Sequence, residues 1–151
     1  MFAIHLFAAL IASRVSRSLI LCLVRRMDSA SSNRPLSDEE RHLIRWMLEH
    51  GEPDARDYLA QLERAEVEPW RCACGCASLS LSIPGLPEPT GGLRPLGQFL
   101  FGSEADLSGI FVYEQSNILS GVEVYGLASD APSWLPSPES LRPFPNPEQN
   151  V

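Results

Sequence analysis

The apolar residues change their period once, near Val67, and that change restricts the folds open to this chain. Before it, Leu43, Ile44, Trp46, Met47 and Leu48 form one broad apolar face, and Ala55, Tyr58, Leu59 and Leu62 recur at three- and four-residue steps, the spacing of a helix. After it, Leu79, Leu81 and Ile83 alternate with Ser78, Ser80 and Ser82, as in a strand with one covered and one wet face. Helices followed by strands describe an α+β domain. A chain of 151 residues is long enough for one such domain with a real core and too short for two.

The helical half is clearly punctuated. In Leu36-Ser-Asp-Glu-Glu40, Ser37 as N-cap and Glu40 three residues later form a capping box, and Asp38 and Glu39 suit the positive helix end. Gly51 is expected to stop this helix in the left-handed region. Pro53 and Asp54 then open a second helix running to about Ala65, and so short a linker makes the pair an αα-hairpin. The strand half reads as Leu79–Ile83, Leu96–Phe101, Leu107–Glu114 and Ile118–Tyr125, with Gln115-Ser116-Asn117 as a hairpin loop. The expectation is therefore an N-terminal helical hairpin packed on an antiparallel sheet of about four strands, spanning residues 36–144. Residues 126–151 hold six of the 13 prolines and read as an irregular surface segment, pinned by Trp134, Leu135, Leu141 and Phe144, with 145–151 a disordered tail.

Residues 1–26 differ in style. They carry Arg14, Arg17, Arg25 and Arg26 and no acid, and their apolar runs, Phe2–Ala12 and Leu19–Val24, fall short of the ~20 residues that cross a bilayer. Their positive charge follows the apolar run, where a secretory signal places it before. Met27-Asp28-Ser29 reads as a natural start, with 27–35 a disordered linker, and the upstream stretch as a misplaced gene start. The alternative is a targeting segment or a helix on a membrane surface. The expected location is cytoplasmic, with membrane association only if residues 1–26 belong to the protein.

All 12 basic residues are arginine. Beyond residue 26, 8 arginines face 19 acids, a net of −11. Such a body repels phosphate backbones, which argues against nucleic acid and for a basic or neutral partner.

Cys72-Ala-Cys74-Gly-Cys76 sits where the period changes, and the remaining cysteine, Cys22, lies in the leader. An odd, clustered set makes a poor disulfide framework and points to a reducing compartment. One reading is a zinc site of three thiolates with His42 or His50 as fourth ligand. On a regular strand, however, alternate residues advance about 6.6 Å per pair, too far apart to share an ion. Gathering them requires the chain to fold back at Gly75. A second reading is a redox pair, although the spacing is CxC and not the CxxC of a helix start. The third reading takes the cysteines as small apolar side chains that fill space without converging, with the CGC as a tight turn or bulge between the extended stretches Val67–Cys72 and Ala77–Ile83, and it is the expectation.

His42, Trp46 and His50 form one stripe on the first helix, read as a helix edge with one buried Trp. Glu104, Asp106, Glu114 and Glu123 read as solvated acids rather than a catalytic pair. GxSxG, GxxxxGK[ST], HExxH and GxGxxG are absent.

Three segments, LSDEERHLIRWMLEHGEPDARDYLAQLERAEV, RCACGCASLSL and GVEVYGLASDAPSWLPSPESLRP, together resemble a group of small bacterial proteins. The resemblance covers most of residues 36–143 and implies no activity, cofactor or catalytic residue. Size and acidity are similar in type to immunity proteins of contact-dependent toxin systems, without a shared motif. The reading is a small acidic interaction protein without catalysis or cofactor, meeting a protein partner through Asp130, Trp134 and Leu135. Its alternatives are a zinc domain at Cys72, Cys74 and Cys76 and an immunity-type protein.

Overall fold

Ser37 opens the first helix through both halves of its capping box. Its Oγ accepts from the Glu40 amide at 3.2 Å, and the Glu40 carboxylate accepts from the Ser37 amide at 2.8 Å. Arg34 closes on the same carboxylate with two bonds of 2.8 and 2.7 Å. That hydrogen-bonded guanidinium holds the Glu40 carboxyl below its ordinary range despite partial burial. The computed structural model describes residues 32–145. The leader 1–26, most of the expected linker and residues 146–151 lie outside the described residues.

The elements run β1 (Arg34–Pro35), α1 (Asp38–Glu49), a 3₁₀ turn (Ala55–Tyr58) continuing into the single helical turn α2 (Leu59–Leu62), β2 (Glu66–Val67), β3 (Leu79–Ser82), β4 (Arg94–Phe101), β5 (Ser108–Gln115), β6 (Ile118–Gly126), a 3₁₀ turn (Pro138–Ser140) and β7 (Arg142–Pro143). The strands form one antiparallel sheet in the order β1-β2-β3-β6-β5-β4-β7.

This corrects the expected fold. Among the described residues the molecule is mostly sheet, with seven strands where about four were expected, and no helical hairpin is present there. The expected second helix from Pro53 to Ala65 is a 3₁₀ turn and one α turn, because its few apolar residues bury by tucking under α1 and need no longer helix. The extra strands β1, β2 and β7 are two residues each, too short to carry any period. Pro35 and Pro143 sit in β1 and β7, the two outermost strands, where a residue without an N–H breaks no ladder. The proline-rich segment thus joins the sheet, with Phe99 facing Pro143.

Leu43, Ile44, Met47 and Leu48 of α1 are buried in one cluster with Leu81, Phe99, Phe101, Ile110, Val112, Val122 and Val124 from the sheet. Full burial of each such side chain is worth about 1.5–3 kcal/mol. Gly51 plays a different part from the one expected. It is not in the left-handed region, and a Cβ there would lie 2.2 Å from the Leu96 carbonyl oxygen. Its bare backbone lets the end of α1 press directly on β4, where the Glu52 amide donates to Leu96 O at 2.7 Å.

The hairpin between β5 and β6 turns on Ser116 and Asn117, with φ of 53° and 62°, the positive pair of a two-residue turn whose twist matches the strands. Glu114, expected in water, is buried here. It accepts from Arg94 Nε at 2.8 Å and from the Asn117 amide at 2.6 Å, which fixes the turn.

Candidate metal centre

The cysteines lie on the connection 68–78 between β2 and β3, and that pairing is short. Two residues of β2 face β3, and the Glu68 amide adds one bond to Ser80 O at 2.9 Å. Pro69 follows, and the chain leaves the sheet. It reverses at Cys72–Gly75, where the Gly75 amide donates to Cys72 O at 3.0 Å and Gly75 takes φ of +80°. A Cβ on Gly75 would meet no neighbour, so only the backbone conformation demands glycine there.

The return limb is tied down twice. The Ala77 amide donates to Pro132 O at 3.0 Å. Ser78 is buried, and its Oγ accepts from the Val124 amide of β6 at 2.9 Å.

The turn gathers the sulfurs. Cys72, Cys74 and Cys76 place their Sγ atoms within 4.8 Å of one another. The tight turn expected at the CGC is present, but the expectation that the sulfurs do not converge is wrong, because the strand starts only at Leu79 and the chain folds back at Gly75. Cys72 Sγ and Cys74 Sγ share a hydrogen bond at 2.8 Å, and the Cys76 amide donates to Cys74 Sγ at 3.4 Å. Cys76 Sγ lies 3.2 Å from the Ser78 hydroxyl. All three are free thiols, Cys74 exposed and the other two half-buried.

Their protonation differs. The hydrogen bond shared with Cys74 favours the protonated form of Cys72 and pushes its thiol up to about 11. Burial alone pushes the Cys76 thiol up. Hydrogen bonds from the Ser78 hydroxyl and amide and from the other two cysteines outweigh it, and the net shift is downward. Since Ser78 Oγ already accepts from Val124, its own proton is free to point at the Cys76 sulfur, as a thiolate requires.

Metal–sulfur bonds of about 2.3 Å hold thiolates roughly 4 Å apart around one ion. The three sulfurs lie within 4.8 Å of one another, with Cys72 and Cys74 at 2.8 Å, so they bracket that spacing on a turn whose backbone is already hydrogen-bonded. Thiolates in this number suit soft or borderline cations such as zinc(II) and copper(I). Among the described residues, no histidine or carboxylate joins the group. His50, one expected fourth ligand, stacks on Trp46 at 4.1 Å between ring centroids and donates from Nδ1 to the Trp46 carbonyl at 2.8 Å.

The expected partner residues lie elsewhere. Asp130 and Trp134 line a cleft of about 470 Å³ with Phe101, Asp106 and Pro132, and Trp134 meets Phe101 edge-on at 5.6 Å. Leu135 instead packs against the core. Ser78 is the residue that sequence reasoning missed. In a row of alternating serines it reads as solvent-facing, and only its place under β6 shows otherwise.

No family model matches the chain, and no curated protein or solved structure is significantly similar to it. No helix among the described residues is long and apolar enough to cross a membrane.

Proposed function

We propose that this chain is a metal–thiolate protein in which Cys72, Cys74 and Cys76 bind one thiophilic cation, with zinc(II) as the reference ion. The observation that carries the reading is the convergence of three sulfurs within 4.8 Å on one hydrogen-bonded turn. The Cys76 amide, donating to Cys74 Sγ, supports it, as does the Ser78 hydroxyl, which accepts from the Cys76 thiol at 3.2 Å and donates to it once that thiol ionises, since outer-shell hydrogen bonds orient thiolates and offset their charge. The fourth position then belongs to water or to a ligand brought by a partner. Free, clustered thiols fit a reducing, cytoplasmic setting.

A second, compatible reading keeps the chain as a protein-binding module without catalysis of its own. Trp134 favours it, being 58% exposed beside the acidic cleft that Asp106 and Asp130 line.

Elemental analysis of the full chain, purified reduced and carrying Cys22→Ser, tests the first reading. One equivalent of zinc per chain is expected, lost in Cys74→Ser. A metal-free protein after equilibration with zinc, or full retention in Cys74→Ser, overturns it.

A further inference from the structure

We infer that the same turn is a thiol–disulfide switch, in which a low-molecular-weight disulfide oxidant joins Cys72 to Cys74 and thereby empties the metal site. The inference rests on the metal–thiolate reading and adds its regulation. Three observations point to this pair. Their sulfurs are already 2.8 Å apart, so reaching a bond of about 2.05 Å requires less than an ångström of movement. Both residues sit on one β-turn held by the Gly75 amide on Cys72 O, so closure needs side-chain rotation and no strand movement. Cys74 is also the exposed member and meets an incoming oxidant first. Cys76 is half-buried, and its sulfur is engaged with the Ser78 hydroxyl at 3.2 Å.

The chemistry balances with oxidised glutathione as the oxidant. The Cys74 thiolate attacks one glutathione sulfur, the glutathione disulfide bond breaks, and one glutathione thiolate leaves. The Cys72 thiolate then attacks the Cys74 sulfur of that mixed disulfide, and the second glutathione thiolate leaves. Two electrons pass from the protein sulfurs to glutathione. In the metal-free protein, the two protein thiol protons end on the two glutathione thiols. In the loaded protein no thiol protons are present, and zinc departs as the dication. Oxidation removes two of three donors, and the single remaining thiolate has no chelate to hold the ion.

The test titrates the zinc-loaded, reduced full chain, with Cys22→Ser throughout, using oxidised glutathione under anaerobic conditions. Zinc release is followed with a chromogenic chelator and cross-links are located by peptide mapping. One zinc is expected to leave per Cys72–Cys74 bond formed, with Cys76 still open to alkylation and dithiothreitol restoring uptake. Cys76→Ser should form the same bond, and Cys72→Ser should stop at glutathione attached to Cys74. Zinc retained against the oxidant, a Cys74–Cys76 bond, or a cross-link between chains overturns the switch. A reduced protein that never takes up zinc refutes the metal reading and the switch with it. One that holds zinc yet fails the oxidation arm refutes the switch alone.

Discussion

The β5–β6 hairpin and the cysteine turn both reverse the chain between paired strands, and they are held by opposite means. In the first, Ser116 and Asn117 close ladders of eight and nine residues, and the Glu114 carboxylate locks the turn from beneath. In the second, two-residue β2 gives only a foothold, and the reversal hangs on the Gly75 amide, the Ala77–Pro132 bond and the Ser78 hydroxyl. The hairpin pairs along a long ladder and buries most of its apolar side chains, which stabilises the sheet. The cysteine turn leaves side-chain sulfur where a ladder would have placed neighbouring backbone, and that freedom permits chemistry.

The sharpest way to break this contrast is to cut the hairpin's core. Leu119→Ala empties a fully buried site beside the turn and should cost about 2–5 kcal/mol by urea unfolding. Zinc stoichiometry in the folded fraction should stay unchanged. Cys74→Ser is the converse experiment. Zinc affinity should fall at least about 100-fold, as losing a ligand exceeds the loss of an outer-shell partner. In the metal-free form its unfolding free energy should stay within about 0.5 kcal/mol of wild type, because the side chain is exposed.

Ser78→Ala joins the two regions, since one hydroxyl serves both β6 and the turn. Leaving the Val124 amide without an acceptor should cost about 1–2 kcal/mol, and zinc affinity should drop about tenfold. Equal loss in both readouts would show one shared anchor. The smallest effect belongs to neither reversal. Glu40→Gln weakens the capping box and its Arg34 pair and should cost about 0.5–1 kcal/mol above the ordinary carboxylate range. Because the folded Glu40 carboxyl titrates below its unfolded value, its contribution is present above the unfolded pKa. It fades as pH falls through the folded one, so wild type and variant should converge in acid. Denaturant melts across pH would show the convergence, and a constant gap would sink the assignment.

Much of the sheet was readable, because β4, β5 and β6 are apolar runs of eight or nine residues with several consecutive positions buried. The glycines within β5 and β6 are places of close approach. Gly109 lies under the Tyr125 ring and Gly121 under the Tyr113 ring, each opposite its partner in register. The seven-strand count was not readable. β1 and β7 exist only because β2 and β4 offer them free edges, and a two-residue strand has no period of its own. The site was half readable. Spacing singled out the three cysteines, but an alternate pattern means divergence on a strand and convergence on a turn, and the residues alone do not say which.

The sequence by itself determined the start of α1, the positive-φ turn at Asn117 and the membership of the thiol trio. Each depends on hydrogen bonds or backbone preferences within about four residues. Tertiary structure alone decided that Gly51 presses on β4, that Glu114 is buried, and that Ser78 stands under β6 beside Cys76. Those outcomes need partners tens of residues away; the turn that brings the sulfurs together is local to Gly75, and distant packing at Ala77 and Ser78 holds it in place.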